Sequence, residues 1–489
     1  MSLESATRSL TRWFDDGGFA ADLSRRIGYR TVSQGTAHRA DIDAYLAEVV
    51  VPELTAMGFT CRVLANPVPG GPPFLLAERH EGGHRPTVLT YGHGDVVDGQ
   101  DALWSAGLDP WTMTERDGAW YGRGAADNKG QHAVNFAALR EVIAARQGSL
   151  GYNVKVLFEM GEECSSPGLR EVARAHEDEL RADLFLASDG PRLVEESPTI
   201  FLGSRGSVVF ELSYSARETA LHSGNWGGIV ANPAVVLSHA ISGLVGRRGR
   251  IEVAGLLPPE IPEDVRTELA ALPIDSAHLG RRIDEDWGQP GLTPAERLLG
   301  WNTLEVLTLH AGDDAKPVNA VPGTARAHCQ LRFVVGTRWD RLQEYVRAHL
   351  DAAGFPEVEV RIVRGSPATR VSPGDPWVRW AKTSIEDAMG RPPLVNPNLG
   401  GTVPNDVFAE ILGLPTVWVP HSYPGCRQHG PDEHLPVAVA REGLAVMAAL
   451  FWNLGVTDPI TAGGAGARGR AGSADGPVDS TTGPAATPG

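Results

Sequence analysis

Apolar and polar positions along this chain follow two periods. Short runs dense in β-branched and aromatic residues fall at 74–78, 87–91, 153–158, 182–187 and 416–419, and such runs predict buried strands. Helix-period stretches lie around them at 3–27, 40–57, 131–145, 167–180, 376–389 and 437–454. In the second of these, Tyr45, Leu46, Val49, Val50 and Leu54 share one face and Gly58 stops the run. Continuous apolar strands interleaved with helices predict an α/β body: a mixed central sheet with flanking helices.

The pattern changes near Ser204. Residues 207–213 alternate like a half-exposed strand, and Asn232-Pro233 reads as an N-cap followed by proline at the first helical position, opening a helix to about 244. Strand-like runs at 304–309, 325–334 and 358–363, with a helix at 339–352, complete a strand-helix-strand-strand-helix-strand order. That order predicts an α+β domain whose sheet has one open face. Residues 247–300, rich in proline and charge, read as an insertion with short helices. The expected organisation is a body from 1–205 and 370–457, an inserted domain at 206–369, and a disordered tail at 458–489 composed of Gly, Ala, Pro, Ser and Thr.

Length supports the division, because 489 residues exceed one ordinary core. The balance of 44 basic against 60 acidic residues, net −16, argues against a nucleic-acid or anionic-membrane partner. No apolar run follows the first charges, and no stretch is expected to reach the ~18 apolar residues of a membrane span. Cys61, Cys164, Cys329 and Cys426 are scattered and form no C-x-x-C pair, which suits reduced thiols. A cytoplasmic protein is expected.

Candidate chemistry gathers where strands end. The run 153–158 leads into Glu159-Met160-Gly161-Glu162-Glu163-Cys164, and 87–91 into Gly92-His93-Gly94-Asp95. The run 182–187 ends in Ser188-Asp189-Gly190. In α/β sheets this edge carries the ligand-binding loops. Neighbouring acids point apart, so one of Glu162 and Glu163 can hold a metal while the other handles a proton. His93 and Asp95, two apart, point to the same side, and a carboxylate beside a ligating imidazole fixes its tautomer. The flanking glycines are read as clearing space for an approaching group. Asp127, in Gly-Arg-Gly-Ala-Ala-Asp-Asn-Lys-Gly, stands at a helix mouth, where it could equally be an N-cap. His429 is placed at the end of the 416–419 strand. Glu pairs, loop histidines and caps each occur without function; together they form a set of O and N donors suited to a hard or borderline metal. Cys164 is a weaker candidate nucleophile, and Trp104, Trp111 and Trp226 could line a pocket or pack in a core.

In this order the motifs resemble the M20 family of zinc peptidases and amide hydrolases, which includes carnosinase-like dipeptidases, aminoacylase, carboxypeptidase G and succinyl-diaminopimelate desuccinylase. The resemblance runs from about residue 12 to 454. It implies two zinc ions per subunit, with manganese or cobalt as substitutes, held by His93, Asp127, Glu163, Asp189 and His429, with Asp127 bridging. It implies Glu162 as general base acting on a metal-activated water, and Asp95 as the acid orienting His93. His421 is a competing reading for His429. The Ser-Asp-Gly setting of Asp189 is closer to the dipeptidase branch. Asp98 and Thr402-Val403 depart from residues common in the family.

From the same resemblance, His222 would reach from the inserted domain of one subunit into the active site of a second, making that domain both lid and dimer interface. Arg332, after Asn319-Ala320-Val321-Pro322, would hold a substrate carboxylate, with Asn319 and the backbone of Gly400-Gly401-Thr402 nearby. The expected reaction is hydrolysis of the amide bond in a dipeptide or N-acyl amino acid. The alternatives are deacylation of another small amide and a catalytically silent binding protein.

Overall fold

The computed structural model describes residues 2–313 and 315–456. The tail expected at 458–489 lies outside the described residues. An eight-stranded mixed sheet forms the body, in the order Thr60–Leu64, Phe74–Arg79, Asn153–Glu159, Thr87–His93, Leu184–Ala187, Thr416–Trp418, Thr199–Phe201, Leu394–Asn396. Strand Thr87–His93 is parallel to both Asn153–Glu159 and Leu184–Ala187. Three neighbouring parallel strands therefore deliver their C-terminal ends to one edge of the sheet.

The central strands are largely apolar because both faces are covered, whereas the edge strand Thr60–Leu64 is mostly exposed. Val154, Val156 and Phe158 pack into one core with the helices Lys129–Ala145 and Val437–Leu454, while Leu157 points into the other with Tyr91, Phe185 and Trp418. Helix Val437–Leu454 reaches the length and apolar composition of a membrane span, which corrects the expectation that no stretch does. It is mostly buried against Lys129–Ala145 in the body's core.

Several predicted helices are divided. The 3–27 run breaks at Gly17, whose φ of +82° only glycine adopts readily, into Leu3–Asp15 and Gly18–Ile27. The 40–57 run contains a π turn at Leu46–Val50. Pro52 supplies the cause, since it lacks the N–H that the α register needs at that point.

A second sheet, entirely antiparallel, has the order Thr303–His310, Thr324–Phe333, Gly206–Ser215, Glu359–Ser366. One face packs on the helices Pro233–Leu244 and Leu342–Ala352 through Val208, Phe210, Leu212, Leu237, Val346 and Leu350. Asn232 caps the first of these, accepting from the Ala234 N–H. The opposite face bears Gln330 and Arg332, which border the cleft between the sheets. The chain enters and leaves this sheet through an antiparallel pair, Gly203–Ser204 with Thr369–Arg370. A Cβ at Gly203 would lie 2.0 Å from the Thr369 carbonyl oxygen, so only glycine allows the two crossings to touch.

Residues 247–300 are more than a surface insertion. Ile261, Val265, Leu269, Ile274 and Leu299 form a small core that also takes Leu193 and Leu394 of the body. Lys382 Nζ lies 2.7 Å from Glu268, and Asn398 donates to the Leu299 carbonyl. The segment thereby ties the second sheet to the first.

Candidate active site

His93 ends its strand, Glu162 and Glu163 follow Asn153–Glu159 in a short 3-10 turn, and Asp189 lies two residues beyond Leu184–Ala187. Asp127 arrives from the loop before Lys129–Ala145. The residue at that helix's N-cap is Asn128, not Asp127, and neither its side chain nor that of Asp127 caps the helix. Instead, the two Asp127 oxygens are shared: Oδ1 lies 3.1 Å from His93 Nε2 and Oδ2 3.3 Å from His429 Nε2. His93 Nε2 is also 3.7 Å from Asp189, and His429 Nε2 is 3.0 Å from Glu163. Two donor groups result, His93 with Asp127 and Asp189, and Asp127 with Glu163 and His429, each within 4.8 Å.

His429 does not stand at a strand end as expected. It lies in the loop after the turn Pro424–Cys426, at a positive φ of +63°. His421 is buried beside Ser188 and Asn135 and belongs to neither donor group. The glycines around His93 make room for packing rather than for a ligand. A Cβ at Gly94 would sit 2.7 Å from Met160 Sδ and 2.8 Å from the Tyr45 ring, and one at Gly92 3.1 Å from His132.

Electrostatics show how crowded the charge is. Burial opposes the charged form of His93, yet Asp127, Asp95 and Asp189 outweigh it and hold its pKa well above the ordinary value. Hydrogen bonds to Asp127 and Glu163 raise His429 to about 11. Burial and the Asp127 charge lift Asp189 to about 6 and Glu163 to about 7. Glu162 is pushed well above its ordinary value by burial, with Asp189 and Glu163 adding to the effect. Burial works to raise Asp127, but the two histidines overcome it and its carboxyl stays ionised. Protonated imidazoles thus act as counter-ions to a knot of acids, and divalent cations on the same atoms would displace those protons. The donor set fits such ions: oxygens and imidazole nitrogens, a carboxylate facing both groups, and a buried Glu163 Oε1 with no hydrogen-bond partner among the described residues.

Asp95 is fully buried, and its Oδ1 lies 3.3 Å from His93 Nδ1. Its second task was not legible in the sequence: Oδ1 accepts the Glu162 N–H at 3.1 Å and Oδ2 the Glu163 N–H at 3.0 Å. Glu433 was also missed as a working residue. It accepts from Arg123, Gly124, Ala126 and Asp127, so a residue four beyond His429 fixes the loop that carries Asp127. Asp432 accepts from the Ser105 backbone and hydroxyl. The only sequence signal for either was their place in Gly430-Pro431-Asp432-Glu433.

Glu162 borders a cleft of about 400 Å³ between the two sheets, shared with Arg332, Arg364 and Thr402. Arg332 Nη1 donates to Thr402 Oγ1 at 2.8 Å. Gly400 and Gly401 belong to the same loop but do not line the cleft. His222 and Asn319 lie elsewhere, on the ribbon that pairs Leu221–His222 with Ala320–Val321. His222 is exposed and accepts from the Gly224 N–H, and the Asn319 carbonyl accepts from Ser223. Cys164 is half-buried, and burial raises its thiol, which is no activated nucleophile. Trp104 and Trp111 are core residues whose indole N–H groups are bonded to Gly99 and Asp101.

A sheet edge with two donor groups sharing one carboxylate, and a free acid beside them, defines a metallohydrolase. Residues 89–453 match the family model "Peptidase family M20/M25/M40", and the chain belongs to that family. It is 28% identical to the mouse Beta-Ala-His dipeptidase, over 78% of this chain and 80% of the relative. It is also 28% identical to a Cysteinylglycine-S-conjugate dipeptidase of Corynebacterium striatum, over 80% and 84%. Its fold is that of human carnosine dipeptidase 1, with a TM-score of 0.74 at 24% identity, covering 93% of this chain and 99% of that one. An M20 family metallo-carboxypeptidase from Sulfolobus solfataricus superposes with a TM-score of 0.75 at 24% identity, covering 90% and 99%.

Proposed function

We propose that this enzyme is a dizinc dipeptidase that hydrolyses the amide bond of a small peptide or N-acyl amino acid. The observation that carries the reading is the division of the Asp127 oxygens between two donor groups, with Glu162 beside them making no side-chain hydrogen bond among the described residues. His93 and Asp189 would hold one metal and Glu163 and His429 the other, with Asp127 facing both groups. The metals would supply Lewis acidity to the carbonyl and acidify a water. Every other step falls to the chain. Glu162, with a pKa raised by burial, takes the proton of the attacking water and returns it to the leaving nitrogen. Asp95 keeps Glu162 and Glu163 pointed on their separate tasks. Arg332, steadied by Thr402, binds the substrate's carboxylate as a charge-assisted pair, with Gly400 and Gly401 in the loop that carries Thr402.

His222 and Asn319 act in a second subunit's site, where an imidazole would meet the oxyanion. Neither residue lines its own cleft, which supports this, as do the exposed apolar side chains of Trp226, Ile229, Leu309 and Val318. The four thiols are free, in keeping with a cytoplasmic setting. Relatives named as dipeptidases support a peptide over another acyl amide as the substrate here. The test is a panel of dipeptides and N-acyl amino acids with chelated and with zinc-, manganese- or cobalt-loaded protein. Cleavage of dipeptides only by the loaded forms is expected; turnover unaffected by chelation would refute it.

A further inference from the structure

Arg332 borders a second cavity as well as the cleft. This one, about 520 Å³, lies between the second sheet and residues 247–300. Its wall is built from Ile274, Leu279, Ile283, Trp287, Leu298 and Trp301. The wall is held in place: Arg297 donates to the carbonyls of Glu285 and Trp287, and Trp287 covers Gly249 so closely that a Cβ there would stand 2.6 Å from the indole.

One charged side chain in this apolar space has no partner worth the name. Arg205 is only 6% exposed, yet its buried Nε and Nη1 find no acceptor among the described residues. Its Nη2 reaches the Gly400 carbonyl only at 3.5 Å. Burial and the neighbouring charge of Arg332 hold its pKa down to about 10. Glu305, the one carboxylate that offsets it, forms no ion pair with it. Nor does Arg332 form one with any described residue. Two adjacent guanidiniums, one with buried unmatched N–H groups, repel each other until an anion lies between them. A buried donor left unmatched is expensive, and an anion lying between the two guanidiniums would match it.

We propose that this cavity reads the leaving residue of the substrate: its carboxylate lies between Arg332 and Arg205, and a large apolar side chain of the leucine or phenylalanine class packs against Trp287, Leu279 and Ile283. This rests on the amide-hydrolase reading and adds the substrate's second half to it. The 247–300 segment then has a use beyond tying the two sheets together. It is the specificity wall.

The test takes the metal-loaded full chain and three dipeptides sharing one acyl half: Ala-Gly, Ala-Leu and Ala-Phe. The kcat/KM should rise about ten- to a hundredfold from Gly to Phe, chiefly through KM. Trp287→Ala, at a half-exposed position where folding is safe, should shrink the Phe-to-Gly ratio about tenfold. Arg205→Met, with Arg332 still in place, should reduce the preference for Ala-Phe over its C-terminal amide about tenfold. Equal kcat/KM for Gly and Phe, or a ratio that survives Trp287→Ala, would overturn the proposal even if Arg205→Met does not fold. If no peptide is cleaved, the hydrolase reading fails first, and calorimetric titration with free phenylalanine decides the pocket separately. Binding weakened by Trp287→Ala supports it, and no binding by the wild type overturns it.

Discussion

Asp95→Asn is the sharpest perturbation the site offers. The change removes one charge and turns one carboxylate oxygen into an NH₂ group, in a residue with no exposure to water. The wild-type oxygens accept the Glu162 and Glu163 N–H groups, and Oδ1 also lies 3.3 Å from His93 Nδ1, which is 3.1 Å from the Asp95 backbone carbonyl. Whichever way the new amide turns, its NH₂ faces a backbone N–H. One charge-assisted hydrogen bond is lost, worth about 1.5–3 kcal/mol, and one buried N–H goes unmatched at about 1–3 kcal/mol. Because these effects overlap, we expect roughly 2–4 kcal/mol in all, divided between stability and misplacement of the two glutamates. A displacement on the order of 1 Å at such groups lowers turnover about a hundredfold, and loss of a ligand's supporting partner weakens metal binding about ten- to a hundredfold. The assays are kcat and KM at saturating metal, metal affinity by competition with a chromophoric chelator, and urea unfolding. A variant with kcat within about twofold and unaltered metal affinity would refute the reasoning. It would mean that the turn holds itself through its own bonds, Ser165 N–H to the Glu162 carbonyl and Ser166 N–H to that of Gly161.

Other outcomes follow from the same geometry. Glu159 is buried, bonded to Tyr91 and Ser166, and raised by burial to about 7 from an ordinary 4.5. Its folded form keeps a proton that the unfolded chain has lost, so in metal-free protein this group alone should cost about 3 kcal/mol of stability as pH rises from about 4.5 through about 7; urea titrations across that range should show the slope, and Glu159→Gln should reduce it by that share, leaving what Asp189 and Glu163, raised into the same range, contribute. Metal binding should release protons and tighten with rising pH, because His93 and His429 are held protonated by their acids; calorimetry in buffers of different ionisation enthalpy reads the release directly. Arg332→Ala should raise KM for free-carboxylate dipeptides about a hundredfold while sparing kcat and C-terminally amidated analogues; equal losses for both would place the clamp elsewhere.

Much of this was legible in the sequence because strand ends are. Val154 to Phe158, Val88 to Tyr91 and Leu184 to Ala187 announce themselves by composition, and a polar residue just past each is conspicuous. What resisted reading depends on partners distant along the chain. Glu433 grips a loop some 306–310 residues away, and no local pattern marks that. Residues 247–300 looked like an insertion because Ile261, Val265 and Leu269 find part of their core in Leu193 and Leu394. In the sequence the glycines beside His93 read as room for a ligand, whereas the space belongs to Met160, Tyr45 and His132. Helix Val437–Leu454 is apolar because most of it is buried in the core, which length and composition cannot distinguish from a membrane span.

The most direct test of the central claim compares wild type with Glu162→Gln on a cleaved dipeptide, with metal content measured by plasma mass spectrometry on the same samples. Glu162 makes no ligand contact in either donor group, so the variant should keep both metals and lose about 10³-fold or more in kcat. A variant that retains most of its turnover, or one that loses its metals along with its activity, would contradict the separation of roles between Glu162 and Glu163 on which the mechanism stands.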